Sequence, residues 1–278
     1  MLTLNCKGRL ITADVPVVMG ILNITPDSFY DNSRFSDTDD VLKKVDEMIR
    51  AGAGMIDIGG QSTRPGSKRI NSGEESARVK SVIETIHYHF PDLIISIDTY
   101  HANVAKVAVE AGASVVNDIS GGMMDANMIN TVAMLRVPFI CTHMKGTPDT
   151  MQQNPRYDDV VTEIIDFFIE RIALCKKAGI HDLIIDPGFG FGKTIDHNFT
   201  LLSRLEEFRL LDKPLLLGVS RKGTIYKTLG VTAAEALNGT TVLHTIGLMK
   251  GASILRVHDV KEACETVTLT CKVQKPEQ

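Results

Sequence analysis

Tryptophan, paired cysteines and long apolar runs are all missing from this sequence. The five cysteines are scattered without a CxxC pair, which argues against a disulfide framework or a structural zinc site and favours a reducing compartment. No apolar stretch reaches the roughly 18 residues that a membrane-spanning helix needs. The first residues also lack the basic-then-apolar order of a secretory signal. These absences predict a cytoplasmic protein that does not act at a membrane.

An excess of positive charge is missing too: 30 Lys and Arg against 34 Asp and Glu give a formal net charge of −4. That balance argues against a general nucleic-acid binder, although cations can still collect on one face. The length of 278 residues and the hydrophobic content of 44% are ordinary for a globular protein with a substantial core. Because no linker or low-complexity tract interrupts the chain, residues 1–278 are predicted to form one domain.

From about Val17 onward one unit recurs: a short apolar strand, a polar loop and an amphipathic stretch. The strands are continuously apolar rather than alternating, which is typical of parallel strands covered on both faces. Eight such units predict an α/β protein with a (β/α)8 TIM barrel. The predicted strands are Val17–Leu22, Met55–Ile58, Leu93–Ile97, Ser114–Val116, Phe139–Thr142, Leu183–Ile185, Leu215–Val219 and Ile254–Val257. The predicted helices are Val41–Ala51, Glu74–His87, Asn103–Ala111, Ala126–Leu135, Asp159–Ala178, Asn198–Phe208, Ala233–Met249 and Val260–Leu269.

An N-terminal hairpin completes the predicted architecture. The leading segment Thr3–Asp14 has the pattern of a β-hairpin that turns at Lys7-Gly8, and we expect this N-terminal hairpin to cap the bottom of the barrel. A doubly wound open sheet remains the competing arrangement, because strand order is invisible in a sequence.

Polar side chains follow every predicted strand. In barrel enzymes the working groups lie where strands end at the carboxyl face, so these residues are expected to meet in one cavity. Taken singly, an Asp or Asn at a strand end is more often a helix cap or turn residue than a functional group. The residues are Asn23, Gln61, Ser62, Thr63, Arg64, Asp98, Asn117, Asp118, His143, Asp186, Ser220, Arg221, Lys222, Arg256 and His258. Of these, Asp118 and His143 are interpreted as structural.

One group of strand-end residues suits a flat heterocycle. A carboxylate such as Asp98 or Asp186 accepts two parallel N–H donors, and the amide of Asn117 both donates and accepts. Lys222 would supply a cation to a ring acceptor. Together they complement an amino-pyrimidinone edge.

A second group suits an anion. Arg64 and Arg256 offer forked donors to a phosphate or diphosphate, although each is also compatible with a solvated surface ion pair. Hydroxyls, an imidazole and an amide add further polar contacts. The remaining members of this group are Asn23, Ser62, Thr63 and His258.

The stretch Asp186–Lys193 alternates glycines with Phe189 and Phe191. It matches neither the Walker pattern nor GxGxxG, so a pocket for an aromatic substrate is at least as plausible as a phosphate loop. Ser220-Arg221-Lys222 precedes Gly223, close to a predicted helix start. The N-terminal end of a helix and a serine hydroxyl favour a carboxylate at that position.

Taken together, these motifs resemble the dihydropteroate synthase family of the folate pathway. The resemblance runs from Met19 to Val260 and rests on several motifs in the same order. The matching stretches are Gly20–Phe29, Gly59–Gly66, Ser96–Tyr100, Asn117–Gly122, Asp186–Lys193, Gly218–Lys222 and Arg256–Asp259. One departure is Gln61, which stands where many members carry Glu.

The resemblance implies a TIM-barrel transferase that condenses 6-hydroxymethyl-7,8-dihydropterin diphosphate with p-aminobenzoate. It implies an SN1-type step in which diphosphate leaves first, with Asp98 stabilising the cationic pterin, Lys222 contacting its ring and Asn23 helping to place Mg2+. The implied pterin residues are Asp98, Asn117, Asp186 and Lys222. The implied diphosphate residues are Asn23, Ser62, Thr63, Arg64, Arg256 and His258. The implied p-aminobenzoate residues are Phe29, Pro65, Phe191, Ser220 and Arg221.

The resemblance further implies competition by sulfonamides at the p-aminobenzoate site and a homodimer formed through the C-terminal helices. Two alternatives remain. A methyltransferase that takes its methyl group from methyltetrahydrofolate for a corrinoid protein would share the pterin set but needs no diphosphate site. A non-catalytic pterin-binding module would not need an intact set of site residues, which here comprises Asn23, Lys222, Arg256 and His258.

Overall fold

The computed structural model describes residues 2–24, 34–61 and 70–274, with the side chains of residues 34–37 left aside. Short parallel strands alternate with helices along the chain. The strands are β1 (Leu2–Cys6), β2 (Arg9–Ala13), β3 (Val17–Asn23), β4 (Met55–Gly59), β5 (Ile94–Asp98), β6 (Val115–Asp118), β7 (Phe139–Thr142), β8 (Leu183–Asp186), β9 (Leu216–Leu217) and β10 (Ile254–Val257). The helices are α1 (Arg34–Arg50), α2 (Ser72–His89), α3 (Ala102–Ala111), α4 (Met128–Leu135), α5 (Val160–Ala178), α6 (Ile195–Ser203), α7 (Gly223–Leu229), α8 (Leu237–Met249) and α9 (Val260–Gln274), with a 3-10 helix over Leu205–Leu211.

The strands β3 to β10 form one eight-stranded sheet whose order is β8-β7-β6-β5-β4-β3-β10-β9. A parallel bridge between Ile185 and Leu215 links β8 to the start of β9, which brings the two ends of the sheet together. The TIM barrel is therefore confirmed, and the doubly wound alternative is wrong, because strands adjacent in sequence pair around a ring. No helix within the described ranges is long and apolar enough to cross a membrane.

The predicted N-terminal hairpin is also confirmed. Strands β1 and β2 pair antiparallel around a turn in which Lys7 and Gly8 both have positive φ. Burial alternates along β1, so that Leu2, Leu4 and Cys6 face inward. They pack on the residues at the amino ends of the barrel strands: Met19, Met55, Ile94, Val115, Ile140, Ile184, Leu216 and Ile254. The hairpin thus closes the bottom of the barrel.

Several predicted boundaries are wrong. The helix expected from Val41 begins at Arg34, that expected from Ala233 begins at Leu237, and that expected to end at Leu269 continues to Gln274. The single helix expected over Asn198–Phe208 is split into α6 and the 3-10 helix at Arg204, whose backbone has φ −114 and ψ 20. At this break the guanidinium of Arg204 forms ion pairs with Asp159 at 2.7 Å and with Glu207 at 2.7 Å. The strand expected over Leu215–Val219 shortens to the two residues of β9.

We predict that Leu4→Ala destabilises the protein by about 2–5 kcal/mol, because it leaves a cavity under the barrel. Leu4 is 1% exposed, whereas Leu10 on the paired strand is 66% exposed. The matched control Leu10→Ala should therefore change stability by no more than about 0.5 kcal/mol. Urea unfolding measures both variants, and equal losses would show that the hairpin does not seal the core.

Candidate active site

The register of the sheet places the polar strand ends side by side. Asn23 of β3 is paired with Gly59 of β4, Gly59 with Asp98 of β5, and Asp98 with Asn117 of β6. All four strands are parallel, so their carboxyl ends share one edge of the barrel. The sequence prediction that these residues converge holds for this part of the ring.

A charged network crosses the carboxyl end of the barrel. The Arg256 guanidinium donates from Nε to Asp57 Oδ2 at 2.6 Å and from Nη2 to Asp98 Oδ2 at 2.7 Å. Asn117 Nδ2 donates to the same Asp57 oxygen at 3.0 Å. Asp57, Asp98 and Asn117 are buried, and Arg256 is half-buried. Arg256, predicted for the diphosphate, thus lies among residues predicted for the pterin.

Sequence reasoning missed Asp57. It lies inside the apolar run of β4, where every residue is buried. A lone acid within such a run was the available signal, because a buried charge requires a partner. That partner, Arg256, lies 199 positions away in the chain, so local sequence could not identify it.

Two carboxylate oxygens of this network lack a hydrogen-bond partner among the described residues. They are Asp57 Oδ1 and Asp98 Oδ1, both buried. Burial raises the pKa of Asp98 above its ordinary value; Arg256 opposes that shift, while Asp57 reinforces it. Buried acceptors are normally satisfied, so these two oxygens are suited to the N–H donors of a bound molecule.

Asp186 and Lys222 face one another beside this network. The position that a Cβ would occupy on Gly218 lies 3.8 Å from Lys222 Nζ and 3.9 Å from Asp186 Oδ2. Burial lowers the pKa of Lys222 to about 8, with Asp186 opposing the shift and Arg256 adding to it. Burial raises the pKa of Asp186, which Lys222 counteracts. The charges of Asp186, Lys222 and Arg256 therefore act on one another in one pocket.

The glycine-rich segment, which is the stretch Asp186–Lys193, covers Lys222. The Lys222 ammonium donates to the carbonyl of Phe189, and its Nζ lies 4.5 Å from the centroid of the Phe191 ring. Gly188 has φ +72, and a Cβ there would lie 1.9 Å from the His143 carbonyl oxygen. Only glycine fits that position. The segment is therefore pressed against the end of β7 with its aromatic side chains near the pocket.

Ser220 and His258, which the sequence assigned to different subsites, touch each other. Ser220 Oγ lies 3.1 Å from His258 Nδ1, and the backbone N–H of His258 donates to Ser220 Oγ at 3.2 Å. The predicted p-aminobenzoate and diphosphate residues thus adjoin at the ends of β9 and β10.

The Arg221 guanidinium is bonded to other residues of the protein. Its Nε and Nη2 donate to the two carboxylate oxygens of Asp259, each at 2.8 Å. Its Nη1 donates to the carbonyls of Ala233, at 2.9 Å, and Ala234. The guanidinium therefore anchors the segment before α8 to the start of α9.

Several predicted residues lie outside the described part of the chain: Phe29, Ser62, Thr63, Arg64 and Pro65. The residue just before the second of these segments, Gln61, is buried. It donates from Nε2 to the Tyr100 hydroxyl and accepts from the Ile70 N–H at 2.8 Å. Gln61 therefore links residue 70 to the end of β5.

Asp118 and His143 make the structural contacts expected of them. Asp118 accepts from the N–H and hydroxyl of Ser120, each at 2.7 Å, and from the N–H of Gly122 at 2.9 Å. His143 Nδ1 lies 2.9 Å from the buried Lys193 Nζ. Both side chains hold loops at the carboxyl end of the barrel.

Comparison with known proteins decides the family. Residues 19–258 match the model of the pterin binding enzymes. The dihydropteroate synthase of Escherichia coli K12 is 43% identical over 276 residues, which covers 97% of each chain. That of Haemophilus influenzae is 41% identical over 259 residues, 92% of this chain and 94% of the relative. This chain belongs to the dihydropteroate synthase family.

Solved structures of dihydropteroate synthases share the fold over the full length. The Yersinia pestis enzyme, in complex with a sulfonamide drug, has a TM-score of 0.92 at 39% identity and covers 99% of this chain and 100% of its own. The Xanthomonas albilineans enzyme with 4-aminobenzoic acid has a TM-score of 0.91 at 38% identity and covers 99% of each chain. The resemblance predicted from the motifs is confirmed.

In this member of the dihydropteroate synthase family, Glu75 of α2 is a further buried acid behind the site. It is 1% exposed, and neither of its carboxylate oxygens makes a hydrogen bond in the described structure. Burial raises its pKa to about 7; the neighbouring Thr99 opposes that shift and Asp98 adds to it. Ionising Glu75 therefore costs free energy in the folded state.

We predict a pH-dependent gain in stability for Glu75→Gln. Because the carboxyl pKa is raised in the folded state, the contribution of Glu75 to stability is fully present below the unfolded pKa of 4.5. It is lost as the pH rises from 4.5 through about 7. At pH 8 the variant should be more stable than the parent by about 2–3 kcal/mol, and the gap should vanish near pH 4. Denaturant unfolding across this range checks it against the exposed Glu84→Gln, and a pH-independent difference would contradict it.

Proposed function

We propose that this chain is a dihydropteroate synthase, a transferase that condenses 6-hydroxymethyl-7,8-dihydropterin diphosphate with p-aminobenzoate to give 7,8-dihydropteroate and diphosphate. The observation that carries this is the meeting of Asp98, Asn117, Asp186, Lys222 and Arg256 at one end of the barrel. The family's synthases, and structures holding a sulfonamide or 4-aminobenzoic acid, support it.

The pterin is proposed to bind against the buried acids. Asp98 Oδ1 is unpaired among the described residues, and an amino-pyrimidinone edge presents N–H donors to such an oxygen. Asn117 and Asp186 would contact the same ring. Lys222, directed by the Phe189 carbonyl, would supply a cation to a ring acceptor.

The diphosphate is proposed to lie toward β3 and β10. Asn23 and His258 are at the ends of these strands, with Arg256 between the diphosphate and the pterin acids. The remaining predicted contacts, Ser62, Thr63 and Arg64, lie outside the described residues. Forked guanidinium donors suit such an anion.

Mg2+ is proposed as the cofactor, with Asn23 as a protein ligand. No cluster of three or more His, Cys, Asp or Glu that could form a metal cage exists in the described part of the chain. The half-buried Asn23 amide, whose Oδ1 lies 3.4 Å from where a Gly59 Cβ would be, instead offers one hard oxygen. Mg2+ commonly binds through few protein oxygens together with substrate phosphates and water, so the site fits it. When bound, the ion would neutralise charge on the departing diphosphate.

The proposed reaction breaks the C–O bond between the pterin methylene and the diphosphate, and the bond's electron pair leaves with the diphosphate. Asp98 would stabilise the cationic pterin, and Lys222 would keep the ring oriented. The amine of p-aminobenzoate then forms the new C–N bond and loses a proton. Because the ring supplies the electrons, no protein nucleophile is required, which agrees with the pterin acids being acceptors rather than attacking groups.

The p-aminobenzoate is proposed to bind beside Phe191 and Ser220, with Phe29 and Pro65 from outside the described residues. Arg221 would act through its tie to Asp259, which fixes the backbone next to Ser220. Sulfonamides would compete at this subsite, as the sulfonamide complex of the Yersinia pestis relative suggests.

A homodimer in the cytoplasm is proposed for the assembled protein, with residues 1–278 as one domain. Apolar side chains are exposed on the C-terminal helices at helical spacing: Val242, Ile246 and Met249 on α8, and Leu269 and Val273 on α9. A second copy would cover such a stripe. All five cysteines are free thiols, which suits a reducing compartment.

The test of this function is direct. Purified protein with Mg2+ and both substrates should release diphosphate and form dihydropteroate in equal amounts. Well-folded protein that binds the pterin but forms no product at saturating substrate would instead indicate a non-catalytic binding module.

Lys222→Ala should lower kcat/KM for the pterin diphosphate by about 100-fold, because the cation facing the ring is lost. Lys227, exposed on α7, provides the matched control, and Lys227→Ala should leave the rate within about two-fold. Steady-state kinetics decide this, and equal rates for the two variants would remove Lys222 from the site.

A further inference from the structure

Lys193 is a buried lysine that the proposed reaction does not use. Its side chain is 3% exposed. Its Nζ lies 2.9 Å from His143 Nδ1, 2.9 Å from the Gly188 carbonyl oxygen and 3.1 Å from that of Phe191. The two carbonyl oxygens accept hydrogen bonds from the Lys193 amine, and the His143 ring nitrogen completes its contacts. Burial lowers the pKa of Lys193 well below its ordinary value.

Five consecutive backbone carbonyls of the glycine-rich segment are held by side chains. Each carbonyl from residue 188 to residue 192 accepts a hydrogen bond from a side chain. Lys193 bonds the carbonyls of Gly188 and Phe191, Lys222 that of Phe189, Gln152 that of Gly190 and Tyr157 that of Gly192. Three of these donors, on Lys222, Gln152 and Tyr157, belong to other parts of the chain, whereas Lys193 belongs to the segment itself.

The two carbonyls that Lys193 holds flank the group that meets Lys222. The Phe189 carbonyl lies between them in sequence and accepts from Lys222. The ring of Phe191, whose own carbonyl bonds Lys193, covers Lys222 Nζ. If Lys193 loses its donors, the segment is no longer pinned at residues 188 and 191, and both contacts of Lys222 loosen.

We propose that Lys193 is a positioning residue, which holds the glycine-rich segment so that the Phe189 carbonyl and the Phe191 ring enclose Lys222. It acts through Lys222 and does not touch the substrate. The proposal deepens the proposed function in one respect, since it rests on Lys222 as the pterin-facing cation.

The charge state of Lys222 gives a readout that a merely structural lysine would not move. Burial is the largest influence on Lys222 and lowers its pKa to about 8. The charges that act most strongly on it are Asp186 from β8, Arg256 from β10 and Asp98 from β5, and these remain in place when Lys193 is changed. Lys193 and Lys222 also repel one another, so loss of a Lys193 charge would itself raise the Lys222 pKa, and a neutral variant that keeps an N–H donor must separate the two effects. Opening the segment admits water, so the Lys222 pKa should rise toward its ordinary value.

The experiment is an NMR titration of protein labelled with 13C at lysine Cε. The Lys222 signal is assigned by its loss in Lys222→Arg, and its midpoint is compared between the parent and Lys193→Met. We expect the midpoint to rise by about one pH unit or more in Lys193→Met. An unchanged midpoint in a folded variant would overturn the proposal.

Tyr157→Phe is the matched control, because it removes one donor from the same segment, at Gly192, and keeps the ring. Its Lys222 midpoint should equal that of the parent; an equal rise in both variants would also overturn the proposal. Lys193→Gln removes the same charge as Lys193→Met but retains an N–H donor for the carbonyls of Gly188 and Phe191. The midpoint should therefore rise less in Lys193→Gln than in Lys193→Met, and an equal rise in these two variants would assign the effect to the lost charge and overturn the proposal. If Lys193→Met does not fold, Lys193→Ala replaces it in this comparison. Failure of the parent to form dihydropteroate would reject the proposed function and leave this titration to decide the role of Lys193.

Discussion

The buried pairing of Arg256 with Asp57 and Asp98 is the interaction on which the carboxyl end of the barrel depends. It joins β10 to β4 and β5 across β3, so it couples strands that do not all pair directly. Desolvating three charges is unfavourable, and the two ion pairs offset that cost only when the geometry is good. The arrangement also leaves Asp57 Oδ1 and Asp98 Oδ1 buried and unpaired within the described residues, as acceptors suited to the N–H donors of a ligand.

The sequence predicted the barrel because its strands are uninterrupted apolar runs, a pattern that parallel strands covered on both faces require. It also located the polar strand ends, since Asp98, Asn117 and Asp186 close such runs. It could not show pairings between distant residues. The partner of Asp57 and the engagement of Arg221 by Asp259 depend on side-chain geometry that only the folded ring creates. The same holds at Arg204, where the predicted helix breaks, because its ion-pair partner Asp159 lies 45 positions away in the chain.

The barrel divides its work between two ends. At the bottom, the N-terminal hairpin contributes Leu2, Leu4 and Cys6 to a small apolar cluster with the first residues of the strands. At the top, the same strands end in acids, amides and cations, which interact with one another through charge and hydrogen bonds rather than through apolar packing. Stability and chemistry are thus carried by opposite ends of the same strands, as the fold permits. Lys193 is the exception, because its buried amine bonds the backbone carbonyls of Gly188 and Phe191.

The close approach at Gly188 limits how this pocket can evolve. A methyl group there, or at Gly192, would meet the backbone of residues 143 or 145 at 1.9 and 2.2 Å, and a main chain has no rotamer with which to yield. Drift in the pocket is therefore restricted to the side chains of Phe189 and Phe191 and to neighbouring segments. Variation that reshapes the pocket from within this segment is therefore expected in the two aromatic rings and not in the path of the main chain.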